Sequence, residues 1–384
     1  MIDLQTPEKR KIVDSIRPDR KMLILLPDFR VIGGVANYYR VLDLPQHDPR
    51  AEYMVVNSAS PESAFALLSR MIRNYWLFDR KLRSGEYGLV VINPSLNPRS
   101  YYRDAVFCWL ALRRDQRVLV FFRGWAAAME GNIRRRFWDR FIFRRSFARV
   151  RHFVVLGQMF KDRLLAMGCS NQSRFWIETT VADSSYLNRF AISDRLKDSA
   201  PLRVLFISRV VPSKGPGIAL AAFDLAQRQL PDIPMELIVA GDGPALGELK
   251  AFVRARRIEH VIFTGAVHGD DKMDVILRSQ ILLFPTMHDE GLPNVILEAM
   301  LYGMPVLARL TGSIGDVIED GVNGFLTERT DPEIFAEWLV KLASEPSSRH
   351  AMAIANHRKA LRHYASAEVR QRLLHILDGM LNGI

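Results

Sequence analysis

The segment Phe284–Leu326 reads FPTMHDEGLPNVILEAMLYGMPVLARLTGSIGDVIEDGVNGFL, and its punctuation decides the fold. A short apolar run, Ile281–Phe284, is the right length for a buried strand and stops at Pro285. A loop follows that carries His288, Asp289, Glu290, Gly291 and Leu292. Pro293 stands where the first turn of a helix tolerates proline, and Gly303 is a natural stop after Tyr302, so the spacing predicts a helix over 294–302. Pro305–Ala308 reads as the next strand. A strand, a polar loop and a helix in that order place the helix's unpaired N-terminal amides, beginning at Asn294, at the carboxyl end of a parallel sheet. That position suits an anion such as a diphosphate. Glu298 falls a little over one turn into the helix, where its carboxylate can accept bonds from ribose hydroxyls, and Glu290 in the loop before it can accept bonds from sugar hydroxyls.

The same alternation extends in both directions. Lys21–Pro27 is an apolar run, and Tyr53–Val56, Leu89–Asn93, Val118–Phe122 and His152–Leu156 are strand-like. After a polar stretch, 183–200, taken as the connection between domains, the pattern restarts with Arg203–Ile207, Glu236–Ala240 and Val261–Thr264. Helical segments lie between these runs, including 217–229 and one ending at Gly168. The fold class is therefore α/β, with two doubly wound, Rossmann-like domains facing a central cleft. The expected boundaries are 1–190, 191–365, and a last helix, 366–384, packing back on the N-terminal domain. At 384 residues the chain suits two domains.

Composition excludes several classes. Two cysteines, Cys108 and Cys169, make neither a disulfide framework nor a metal knuckle. The opening residues lack the pattern of a signal peptide, and no stretch of eighteen apolar residues occurs. Charge is uneven: residues 1–200 carry 34 Lys+Arg against 20 Asp+Glu, and residues 201–384 carry 19 against 22. The first half is thus expected to meet something anionic. Within it, 133–151 (IRRRFWDRFIFRRSFARVR) interleaves eight arginines with apolar residues three or four apart, which predicts a helix with an aromatic stripe and a basic face. Two readings stand there. The stripe packs on the sheet, or it lies on an anionic membrane. The stretch around Met71–Phe78 has the same character. No nucleic-acid-binding signature is present, so nucleic acid is not an expected partner.

Four further loops follow strand ends. Phe206–Gly215 places Arg209 and Lys214 in one loop, where two cations can stabilise a leaving diphosphate. The others are Gly241–Pro244, Gly265–His268 with Val267, and the Gly33–Gly34 pair after the first strand.

Together these residues resemble glycosyltransferase family 4, the retaining group 1 glycosyltransferases of the GT-B fold. The resemblance rests on Glu290 and Glu298 eight positions apart, the neighbouring Gly291-Leu292-Pro293, the Glu298–Val306 and Glu319–Leu326 segments, and the Arg209…Lys214-Gly215 loop. It is specific over about 203–330 and topological over most of 1–200. It implies a metal-independent retaining hexosyltransferase without a cofactor. The donor is a UDP- or GDP-sugar and the acceptor a glycan or lipid-linked molecule, as in bacterial surface polysaccharide or lipopolysaccharide assembly. The protein is expected in the cytoplasm or on the inner face of its membrane. Arg209, Lys214 and Glu290 are then the catalytic set, with Glu290 positioning the sugar and Glu298 holding the ribose. Gly33, Gly34, Gly265, Val267, Asp289, Gly291, Leu292, Pro293 and Asn294 are implied to line the substrates. Arg123, in Phe122-Arg123-Gly124-Trp125, stands where many members have histidine, which leaves it to contact a phosphate or an acidic sugar. The alternatives are a GT-B sugar-nucleotide epimerase and a degenerate scaffold at the membrane.

Overall fold

The computed structural model describes residues 20–31, 33–58, 63–198, 200–288 and 291–383. Asp289 and Glu290 lie outside the described residues. The chain divides into two compact units. Thr180–Ser366 forms the second, and the described residues before and after it form the first.

The first unit is a six-stranded parallel sheet. Its strands are β1 (Lys21–Leu26), β2 (Ala51–Val55), β3 (Tyr87–Ile92), β4 (Arg117–Phe121), β5 (His152–Val155) and β6 (Arg174–Ile177), in the order β2-β1-β3-β4-β5-β6. Past their first residues the central strands are apolar, as burial on both faces demands; Leu23, Ile24, Leu89, Val90 and Leu119 have no exposed surface. The helices are α1 (Gly34–Leu42), α2 (Ala64–Arg83), α3 (Pro98–Arg113), α4 (Ala127–Arg135), α5 (Phe137–Arg145) and α6 (Gln158–Met167). The β1-to-β2 step runs one way across the sheet and every later step the other way. Right-handed crossovers therefore put α1 on one face and α2–α6 on the opposite face.

The second unit has β7 (Leu202–Ile207), β8 (Met235–Ala240), β9 (Val261–Gly265), β10 (Ile281–Phe284), β11 (Val306–Arg309) and β12 (Gly324–Thr327), all parallel, in the order β9-β8-β7-β10-β11-β12. Its helices are α7 (Pro216–Gln229), α8 (Leu246–Arg256), α9 (Gly269–Arg278), α10 (Asn294–Leu301), α11 (Pro332–Ser344) and α12 (Pro346–His363). Helix α7 packs on α11, and Phe206, Phe223, Leu237, Phe335 and Leu339 form the core between them and the sheet. The last helix, α13 (Ser366–Asn382), buries Val369, Leu373 and Leu377. Its residues from Ala367 onward belong to the first unit, where Arg117 Nη1 donates to Leu381 O at 2.8 Å and Arg372 Nε to Glu178 Oε2 at 3.0 Å.

Three sequence readings need correction. The stretch 183–200 is not a bare connection, because the division between units falls at Thr179/Thr180 and these residues are fastened to the second unit. Arg195 is buried, with Nε on Tyr302 O at 2.9 Å, Nη2 on Ile276 O at 3.2 Å, and Nη1 on Ser279 O. Its charge is met by carbonyls at the C-terminal ends of α9 and α10, and burial lowers its pKa to about 10. The basic segment 133–151 is not one helix. The backbone turns extended at Arg136 (φ −90°, ψ 130°), which separates α4 from α5. Finally, β6 and β12, the last strand of each sheet, form where the pattern of apolar runs predicts no strand.

Candidate functional site

In the second unit the chain order reverses between β7 and β10: β7 leads to β8 on one side, and β10 leads to β11 on the other. Loops at the carboxyl ends of these two strands diverge and leave room for a ligand, which is the usual binding place in such a sheet. They are the loop carrying Arg209 and Lys214 and the loop carrying Gly291, Leu292 and Pro293.

The two loops meet backbone to backbone. Met287 N–H donates to Ser213 O at 2.8 Å. Gly215 has φ +73°, and a Cβ there would lie 2.2 Å from Pro285 O, so both conformation and space require glycine. At the neighbouring junction a Cβ on Gly241 (φ +149°) would lie 1.9 Å from Ser208 O. Ser208 N–H donates to Ala240 O at 3.1 Å and Gly241 N–H to Gly265 O at 2.8 Å, which ties the ends of β7, β8 and β9 together. Lys214 closes a single 3-10 turn, Pro212–Lys214, and is buried, whereas Arg209 is exposed. Gly265 has φ +75° with open space around it, and Val267 is half-buried just beyond.

Helix α10 begins at Asn294 after Pro293, with no side-chain cap and no acid in its first turn. Among the described residues its leading amides therefore have no side-chain cap, and the positive end of the helix dipole lies at this start. The Asn294 side chain is engaged, its Oδ1 accepting from the Thr180 hydroxyl. Gly291 O accepts from Ser313 N–H at 2.9 Å, and Leu292 is buried. Glu298 has no exposed surface. Its Oε1 receives Lys272 Nζ from α9 at 2.6 Å, while Oε2 is buried without a hydrogen-bond partner among the described residues. A buried carboxylate oxygen left unbonded is costly. Sequence reasoning missed Lys272, which it saw only within the acidic run Gly269–Asp274. Among the described residues no group of three or more His, Cys, Asp or Glu is placed to hold a metal ion.

The first unit has its own reversal between β1 and β3. Gly33 and Gly34 lead into α1 there, both exposed and with open space where a Cβ would stand. Asn93, just past β3, is buried. Its Nδ2 donates to Leu25 O at 2.9 Å and its Oδ1 accepts from Tyr39 OH at 2.9 Å. Arg123 follows β4. Its backbone N–H donates to Pro94 O at 2.8 Å, and its guanidinium lies 3.9 Å from the Tyr38 ring centre and 4.2 Å from that of Phe121. Desolvation holds the Arg123 pKa below the usual arginine range, with Tyr38 and Tyr39 acting the other way. Burial raises the Tyr39 phenol to about 12.

Two parallel α/β units, the second with glycine-tight strand ends at a switch point, define the GT-B class of fold. Residues 189–359, which lie within the second unit, match the family described as glycosyl transferases group 1, and that stretch is a domain of this family. Among curated relatives, the GDP-mannose-dependent alpha-(1-6)-phosphatidylinositol monomannoside mannosyltransferase of Mycolicibacterium smegmatis is 27% identical over 198 residues, 50% of each chain. The amylovoran biosynthesis glycosyltransferase AmsK of Erwinia amylovora is 24% identical over 244 residues, 61% of this chain and 58% of that one. The chain thus spans about half the length of the curated relatives it matches. Among solved structures, Anabaena HepE in complex with UDP and glucose superposes with a TM-score of 0.69 at 17% identity, over 93% of this chain and 99% of that one. That likeness is one of fold.

Proposed function

We propose that the protein transfers a sugar from a nucleotide-diphosphate sugar, UDP- or GDP-linked, to a glycan or lipid-linked acceptor, with retention of configuration and without a metal ion. The observation that carries this reading is Glu298, whose second carboxylate oxygen is buried and, among the described residues, unbonded in the helix that starts at the switch point. A ribose hydroxyl is a donor of the right kind for it. The diphosphate takes the uncapped start of α10, with Arg209 and Lys214 supplying the positive charge that a metal ion provides elsewhere. As the anomeric carbon–oxygen bond to the diphosphate breaks, these groups stabilise the charge on the leaving oxygen. The acceptor oxygen bonds to the anomeric carbon and its proton passes to the leaving diphosphate. Glu290, with Asp289, positions the sugar; Gly265 and Val267 border the base. The second unit takes the donor, and the first, through Gly33, Gly34 and Arg123, takes the acceptor. A mannosyltransferase acting on a phosphatidylinositol mannoside and an amylovoran glycosyltransferase among the relatives support a surface-glycan or lipid-linked acceptor. Its place of work is then the cytoplasmic face of a membrane.

The test is nucleotide release from a panel of UDP-, GDP- and ADP-sugars, with and without EDTA, for the native chain and Glu290→Ala. Release from one donor class, insensitive to EDTA and reduced on the order of 100-fold in the variant, is the expected outcome. Release that EDTA abolishes would remove the metal-independent reading, and release from no donor would remove the transferase.

A further inference from the structure

Helices α2, α3 and α5 lie on the same face of the first sheet and pack side by side. Tyr75 on α2 donates to Arg103 O on α3 at 3.4 Å, and Tyr102 on α3 donates to Asp139 Oδ1 on α5 at 2.5 Å. Their inner sides are buried, with Phe78, Phe107 and Phe143 fully so. Their outer sides are apolar as well. Eleven of the eighteen large apolar side chains exposed among the described residues are on these three helices. On α2 the exposed residues Phe65, Leu68, Ile72 and Trp76 recur at helical spacing, and Trp138 on α5 is 71% exposed. A patch of this kind on an otherwise ordinary surface marks an interaction site.

Each helix closes its stripe in the same way, with an arginine stacked on an aromatic ring four residues before it. Arg80 lies 5.5 Å from the Trp76 ring, Arg113 4.6 Å from Trp109, and Arg145 5.0 Å from Phe141. The three helices carry eleven Lys+Arg against three Asp and no Glu. All three acids are already engaged: Asp79 by Arg83 and Arg114, Asp104 by Arg103, and Asp139 by Tyr102. The face is therefore positive as well as apolar, with no acid left over to neutralise it. The arginines are interleaved with the rings. In a protein–protein interface the charges are instead drawn to the rim of a dry centre.

We infer that the outer face of α2, α3 and α5 docks on an anionic bilayer, with the rings at headgroup depth and the stacked guanidinium groups on lipid phosphates. The docking face specifies how the protein meets the membrane proposed above, and it stands apart from the donor chemistry. A chain that releases nucleotide but ignores vesicles loses this inference alone; one that floats with vesicles but releases nothing loses the transferase alone.

The experiment is flotation of the full chain with vesicles of phosphatidylcholine and of equimolar phosphatidylcholine and phosphatidylglycerol. Binding to the anionic vesicles only, weakened by salt, is expected. The double variant Trp76→Ser/Trp138→Ser and the triple variant Arg80→Gln/Arg113→Gln/Arg145→Gln should each weaken it by about tenfold or more. Both change exposed side chains, so their unfolding temperatures should match the native chain's, and Ile262→Ser, on the second unit, should leave binding unaltered. Absence of binding to anionic vesicles, or binding unchanged in both variants, would overturn the inference. So would self-association that the same substitutions abolish while vesicles are ignored, which would assign the face to a second copy of the chain.

Discussion

The carboxylate of Glu298 is buried, with one oxygen on Lys272 and the other without a bond among the described residues. Removing its partner leaves the charge buried and uncompensated. Lys272→Met should therefore lower the unfolding free energy by about 2–3 kcal/mol, read from the urea midpoint, short of the fully buried range because Lys272 is itself partly exposed. Glu298→Gln, which keeps the shape without the charge, should cost clearly less; an equal loss in both would show that the pair is not what holds these helices. This pairing was not legible in the sequence. Glu298 announced itself by its place after a loop rich in glycine and carboxylates, but its partner is 26 positions earlier and is brought there only by the crossing of α9 and α10. Arg123 was legible as a position but not as an environment, since nothing in Phe122–Trp125 points to the Tyr38 ring that its guanidinium covers.

At the scale of elements, runs of apolar residues cut by proline and glycine gave nearly every strand and the start of α10. What failed were elements whose reasons are tertiary. Strand β6 (Arg-Phe-Trp-Ile) is an edge strand with an exposed arginine, and β12 is four residues inside what reads as a loop. The break at Arg136 has no glycine or proline to mark it. Segment 133–151 is split between burial and exposure, because Ile133, Phe143 and Phe147 are buried while Phe137, Trp138 and Phe141 are exposed. One consequence at this scale is a pH dependence. His152 begins β5 with its ring stacked 6.0 Å from Trp176, and its pKa is lowered by desolvation first and by Arg174, Arg117 and Arg151 next. The folded chain thus holds a proton there less readily than the unfolded chain. Stability should fall as pH drops below 6.5, the ordinary histidine value, and this contribution should be flat above it. Urea unfolding of His152→Phe across that range should lack the component; a variant that loses stability on acidification as steeply as the native chain would refute it.

For the whole molecule, two sheets of the same size carry different strand orders and different charge. The family match lies within the second unit, and the basic excess lies in residues 1–200. That division agrees with the proposal that the second unit takes the donor and the first the acceptor. The proposed nucleotide at the switch point of the second unit should complete Glu298. Thermal unfolding of the native chain and Glu298→Ala with saturating UDP, GDP and ADP tests it most directly. A ligand present at about 100 times its Kd stabilises by about 2.7 kcal/mol, so one nucleotide should raise the native unfolding temperature by roughly 5–10 °C and the variant's by little. A rise of the same size in Glu298→Ala, or no rise with any nucleotide, would contradict the account.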